Sequence, residues 1–141
     1  MGGRSRNGIL GPISILALVA GGTVGLADTI DPSLIGGWTT SASDCARIFQ
    51  RKGGVLSYRK PVDKFAQAAI IEPQQILAPA SACRVLSIAH IKGALSLNVE
   101  CEDSVSFLSQ TVQIKPRSNA EIVFSPSGDQ ALDTTLVKCQ L

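Results

Sequence analysis

The sequence has almost no histidine and lacks the short motifs of common catalytic and zinc sites. Its single histidine, His90, falls at the tip of a predicted hairpin. A Ser-His-Asp triad needs its imidazole held between two partner side chains, and a turn tip is a poor place for that. There is no G-x-S-x-G motif and no C-x-x-C pair to form a zinc-binding knuckle. We therefore interpret His90 as a solvated turn residue, and we assign no catalytic residue, metal or cofactor.

A basic excess is also missing once the first 27 residues are set aside. The chain has 13 Lys and Arg residues against 11 Asp and Glu residues, but Arg4 and Arg6 lie in that first segment and every acid lies at Asp28 or later. Residues 28–141 thus carry 11 bases and 11 acids. This balance argues against a nucleic-acid-binding protein, which needs a clear excess of positive charge.

Residues 1–27 are predicted to be a cleaved signal peptide. Arg4 and Arg6 make a positive start, residues 7–27 are uncharged, and small residues at positions 25 and 27 suit cleavage before Asp28. A retained membrane anchor is the alternative, because an uncharged run of this length can span a bilayer. Five glycines and Pro12 within the run favour the signal peptide. We therefore expect a periplasmic or secreted protein with one domain, residues 28–141.

Four cysteines behind an export signal predict two disulfides in an oxidising compartment. They are Cys45, Cys83, Cys101 and Cys139. The preferred pairing is Cys83–Cys101 with Cys45–Cys139, which ties the start of the domain to its end. The rival pairing joins Cys45 to Cys83 and Cys101 to Cys139.

A hairpin centred on Lys92 supports the Cys83–Cys101 bridge. Residues whose numbers sum to 184 then face each other, and Arg84 lies opposite Glu100 on the outer face. The facing pairs on the inner face are Cys83–Cys101, Val85–Val99, Ser87–Leu97 and Ala89–Leu95.

Short apolar runs separated by turns and prolines predict a mainly β fold, either a small antiparallel barrel or a sandwich. A short N-terminal helix is predicted between a cap at Ser43 and a stop at Gly53. A later hairpin is predicted to pair residues 105–115 with residues 120–125, placing Lys115 opposite Glu121. The change of apolar parity along its first strand predicts a bulge at residues 109–111.

The most pronounced surface feature is a cluster of bases within residues 47–64, where Asp63 is the single acid. These bases, hereafter the basic surface, are Arg47, Arg51, Lys52, Arg59, Lys60 and Lys64. They predict contact with a protein or with an anionic component of the cell envelope, including peripheral contact with a membrane. The alternative is a solvated face that keeps the protein soluble.

Gly36-Gly37-Trp38 resembles the G-x-W element that opens the first strand of calycin-type barrels, which include lipocalins and small periplasmic protease inhibitors. The resemblance implies a ligand-binding or inhibitory barrel. Trp38 is predicted to fill the core, and a surface anchor for a partner is the alternative.

The leading hypothesis is an exported, non-enzymatic binding or interaction domain of a bacterial-type cell envelope. A small-molecule carrier with a lipocalin-like cavity and a hydrolase with an unrecognised carboxylate site are the alternatives.

Overall fold

The chain folds around a closed antiparallel β-barrel. The computed structural model describes Gly2 and residues 28–141, so the predicted signal peptide, apart from Gly2, lies outside the described residues. In chain order, the strands and the helix of the described part are β1 (Gly36–Thr39), α1 (Cys45–Ile48), β2 (Phe49–Lys52), β3 (Val55–Tyr58), β4 (Ala68–Ile71), β5 (Gln75–Leu77), β6 (Ala82–Ile91), β7 (Ala94–Glu102), β8 (Phe107–Ser118), β9 (Glu121–Ser125) and β10 (Thr134–Lys138). Three 3₁₀ turns accompany them at Pro32–Leu34, Ala42–Asp44 and Gln130–Leu132.

Eight strands form the barrel in the order β1, β4, β5, β6, β7, β8, β9, β10, and β10 pairs with β1 to close it. Strands β2 and β3 form a separate two-stranded sheet in the connection from β1 to β4. The predicted fold class is therefore confirmed in its barrel form, with one short helix and two disulfides. Within residues 28–141, closure pairs every barrel strand on both sides, so the barrel itself has no exposed edge.

The preferred disulfide pairing is also confirmed. Cys83 bonds to Cys101 within the β6–β7 hairpin, with a sequence separation of 18 residues. Cys45, at the start of α1, bonds to Cys139, just beyond β10, with a separation of 94 residues. Closed disulfides of this kind indicate an oxidising, extracytoplasmic compartment.

Because neighbouring barrel strands run in opposite directions, their connections alternate between the two ends of the barrel. Short connections at residues 72–74, 92–93 and 119–120 lie at one end, here called the turn end. Longer connections at residues 59–67, 78–81, 103–106 and 126–133 lie at the other, here called the loop end. The segment that leads into β1 closes the turn end, since Ile30 and Leu34 are buried in the core and Ile30 N donates to the Pro73 carbonyl.

The interior of the barrel is filled by large apolar side chains. Trp38, Leu97, Ile114 and Ile122 are completely buried there. An eight-stranded barrel is just wide enough for such side chains to fill. The prediction that Trp38 fills the core is confirmed, and the alternative of a surface anchor is wrong.

A second, smaller cluster lies on the outside of the barrel wall, under the β2–β3 hairpin. Strand side chains alternate in direction, so Ile71 joins the interior cluster while Ile70 joins the outer one with Phe49. Gly37 permits this close approach, because a Cβ built there would lie 3.2 Å from the Phe49 ring and 3.3 Å from Leu56. The hairpin is thus packed directly onto β1 and β4.

The predicted register of the β6–β7 hairpin is correct near the disulfide and wrong beyond Val85. Cys83 faces Cys101 as expected, but a β-bulge at Leu86 moves every later pair by one residue, so that Ile88 faces Leu97. The cause lies at the turn. Lys92 and Gly93, both with positive φ (49° and 76°), form a two-residue turn that requires a different register from the cysteine pair.

Two other local predictions are corrected. The helix begins at Cys45 and ends at Ile48 rather than reaching Gly53, because residues 49–52 pair with β3 as a strand. In the β8–β9 hairpin Lys115 faces Val123 rather than Glu121, because β8 continues through Pro116 to Ser118. The irregularity of β8 lies between Pro116 and Ser118, and pairing with β7 is regular at the predicted position 109–111.

Candidate functional site

All six bases of the basic surface are exposed, but they lie at three different places. Arg47 is on α1, while Arg59 and Lys60 follow β3. Arg51 and Lys52 are at the far end of β2, and Lys64 is at the loop end of the barrel.

Arg47 and Arg59 are brought together at the base of the hairpin. Both line a small cavity of about 150 Å³. Arg59 is fixed there, because its Nε donates to the Ala46 carbonyl at 2.6 Å. The charge of Arg47 is compensated locally by Asp44 at 3.1 Å and Asp63 at 3.8 Å.

Arg51 and Lys52 lie at the tip of the hairpin, which projects into open space. Lys52 pairs with Val55 across a two-residue turn of Gly53 and Gly54, and a Cβ built on either glycine would have no neighbour within 4 Å. The Arg51 guanidinium donates to the Gly54 carbonyl at 2.7 Å. This hydrogen bond orders the Arg51 side chain while Lys52 stays exposed.

The base of the hairpin is held rigidly against the barrel. The rings of Phe49 and Tyr58 lie 5.4 Å apart, and the Tyr58 hydroxyl donates to the Leu77 carbonyl of β5 at 2.6 Å. Burial raises the pKa of Tyr58 well above its ordinary value. The hairpin therefore presents its charged tip from a fixed base.

A second candidate site is a cavity of about 410 Å³ at the loop end, here called the mouth. Phe124 and Leu136, which point toward the interior, form part of its wall. Leu132 of the last 3₁₀ turn and Ala68 at the start of β4 form other parts. Nine of its twelve lining residues are apolar.

The mouth was not predicted from the sequence. Its lining comes from four connections or strand ends that are far apart along the chain, so no local pattern marks it. Phe65 lies between two residues that line the mouth, but its exposure is known only from the structure.

A larger groove of about 530 Å³ runs along the outer face of β8 and β9. Polar side chains dominate its lining, among them Gln113, Lys115 and Asp133. The mouth therefore offers the more apolar of these two spaces, although it is the smaller.

The remaining residues considered from the sequence lie on the surface. His90 is exposed near the end of β6. Glu100 pairs with Arg84 at 2.6 Å, as predicted for the outer face of the hairpin. Among the described residues, no group of three or more His, Cys, Asp or Glu side chains is placed to hold a metal ion.

No family model, characterised protein or solved structure matches this chain. Within residues 28–141, none of the helices has the length and apolar character needed to cross a bilayer.

Proposed function

We propose that this protein is an exported, non-enzymatic binding domain of the cell envelope that contacts an anionic partner through the basic surface. Residues 1–27 act as the cleaved signal peptide that delivers it to the periplasm or outside the cell. The two disulfides support the export part of this proposal, because such bonds persist in oxidising compartments.

The observation that carries the binding proposal is the separation of charge along the described chain. Residues 44–64 hold six bases and two acids, whereas the rest of residues 28–141 hold five bases and nine acids. In the fold, five of the six bases lie on the β2–β3 hairpin or at its base, and Lys64 alone lies at the loop end. Positive charge concentrated on the hairpin steers an anionic partner toward it.

The hairpin geometry supports the same proposal. Its base is packed on the barrel and its tip is open. Arg51 and Lys52 can therefore contact a partner while the packing at the base stays intact. A fixed element pays less ordering entropy on binding than a flexible loop. Partners of suitable chemistry are a membrane surface rich in anionic lipid and an acidic face of another envelope protein.

The test compares two triple variants of residues 28–141 that remove the same charge, one from the basic surface and one from elsewhere on the barrel. Lys52, Lys60 and Lys64 are changed to Gln in the first, and Lys92, Lys115 and Arg117 in the second. We expect the first variant to lose co-sedimentation with phosphatidylglycerol vesicles and to lose partners in pull-downs from envelope extracts. The second should retain both, and added salt should weaken the wild-type interaction.

Identical vesicle binding and identical partner lists for the wild type and the first variant would remove the role assigned to the basic surface. Equal losses in both triple variants would show that net charge alone matters. Either result overturns the proposal.

The resemblance of Gly36-Gly37-Trp38 to calycin-type barrels enters as a second, structural proposal. The position of Trp38 in the first barrel strand, with its side chain buried against the segment that closes the turn end, supports it. An experimental structure would test it. A match to calycin-type barrels would support the proposal, and a match to an unrelated barrel family would contradict it.

A further inference from the structure

We propose that the mouth of the barrel binds a free medium-chain carboxylate, with the apolar chain inside and the carboxylate at Lys64. This site is separate from the hairpin tip and goes beyond the function proposed above. A volume of about 410 Å³ falls within the range of small-molecule sites.

The apolar side chains that line the mouth favour a ligand with an apolar chain. Leu136 is buried, Phe124 is half-buried, and both face the space from the barrel interior. Leu132, 53 % exposed, stands at the rim. Burying an apolar chain against these side chains removes water from both surfaces, which is the main driving force for such binding.

The charge of the lining determines which polar group the ligand carries. Of the lining residues, all within the described chain, Lys64 alone is charged. The acids nearest in sequence to the lining are already engaged, since Asp63 pairs with Arg47 and Asp133 accepts a hydrogen bond from the Ser125 hydroxyl. Lys64 is therefore placed to pair with an anion at the rim, and a cationic amphiphile is disfavoured there.

Phe65 is an exposed apolar residue beside the mouth in sequence. It lies between two lining residues, Lys64 and Ala66, and is 95 % exposed, which is unusual for a large aromatic side chain. Its backbone is held in place, because the Asp63 carboxylate accepts from Phe65 N at 3.0 Å.

The experiment is calorimetric titration of residues 28–141 with decanoate, below its micelle-forming concentration, and with decyltrimethylammonium, which has the same chain and the opposite charge. We expect decanoate to bind and the cation to bind more weakly. Backbone NMR shifts on titration should be concentrated at residues 64–68, 78–80 and 132–136. Lys64→Gln should weaken decanoate by about two- to fivefold, the effect of losing an exposed ion pair.

Leu132→Glu is the decisive variant, because it puts a charge on the apolar rim without touching the barrel interior or the basic surface. We expect it to weaken decanoate by at least about tenfold. Leu86→Glu is the matched control, since Leu86 is 51 % exposed on the bulge of β6, away from the mouth. It should bind like the wild type, and circular dichroism confirms that both variants are folded.

Three results would overturn the proposal. They are no decanoate binding, binding that Leu132→Glu leaves unchanged, and equal binding of the two amphiphiles. Retention on phosphatidylglycerol vesicles that Leu132→Glu abolishes, without binding of free decanoate, would assign the mouth to membrane contact and would also overturn it. Because Leu132 lies outside the basic surface, failure here leaves the hairpin proposal unaffected.

Discussion

The indole nitrogen of Trp38 donates a hydrogen bond to the Leu34 carbonyl at 2.8 Å, inside the turn end of the barrel. Lys138 lies over the same ring at 5.5 Å and donates from Nζ to the Ser33 carbonyl at 2.7 Å. Trp38 thus joins the first strand, the last strand and the segment that closes this end.

The change Trp38→Phe tests this role. Phenylalanine has no N–H, so the buried Leu34 carbonyl loses its partner, and part of the indole volume becomes a cavity. We expect the free energy of unfolding to fall by about 1 to 3 kcal/mol, measured by urea denaturation. Phe65→Leu is the control and should change it by less than about 0.5 kcal/mol, because Phe65 is exposed. Equal effects of the two changes would contradict the buried role of Trp38.

The bulge at Leu86 is tested by two neighbouring residues. A regular hairpin places Ala89 inside and Ile88 outside, whereas the structure places Ile88 against the core and leaves Ala89 exposed. Ile88→Asp should therefore destabilise the fold by about 2 kcal/mol or more, and Ala89→Asp should have little effect. Thermal and urea denaturation of both variants gives the answer, and the reverse order would restore the regular register.

These two residues show how much of the β6–β7 register can be predicted from the sequence. The facing positions of Cys83 and Cys101 follow from strand parity, and the pair is correctly predicted. The Lys92-Gly93 turn is also visible in the sequence. The two signals require registers that differ by one residue, and local sequence does not say which residue between them absorbs the difference. Side-chain packing against the barrel interior decides it, with Ile88 inside.

The candidate sites differ in the same way. The basic surface can be predicted because its charged residues are close together in the sequence. In the fold, these residues are distributed over the hairpin and the loop end. The mouth depends on residues as far apart as Ala68 and Leu136, which meet only after the barrel closes. The hydrophobic periodicity of a single segment does not predict contacts between residues so far apart in the sequence.

The two disulfides are expected to contribute unequally. Replacing Cys45 and Cys139 by alanine opens a loop of 94 residues, and replacing Cys83 and Cys101 opens one of 18. In the chain-entropy model the first change destabilises by about 4 to 5 kcal/mol and the second by about 3 kcal/mol. Urea denaturation of the two double variants measures the difference. Greater loss from the short-loop variant would show that the bridges act mainly through native-state contacts.

Asp103 organises the connection between β7 and β8, and its role depends on pH. Its carboxylate accepts from the backbone N–H groups of Val105 and Ser106, both at 2.8 Å, and from the Ser106 hydroxyl at 2.9 Å. The hydrogen bond from Val105 N–H, followed by those from Ser106, lowers the pKa of Asp103 below its ordinary value of 3.8.

Because the folded-state pKa is lowered, the stabilisation from ionised Asp103 is present above pH 3.8 and is lost as pH falls through the lower folded value. In an NMR titration, the amide protons of Val105 and Ser106 should move with a shared midpoint below 3.8. Asp103→Asn removes the titrating group and should abolish that shared transition while the barrel remains folded. A midpoint at or above the ordinary value would mean that the carboxylate is not held by these amides in solution, and Val105 would then sit on a mobile connection instead of an ordered one.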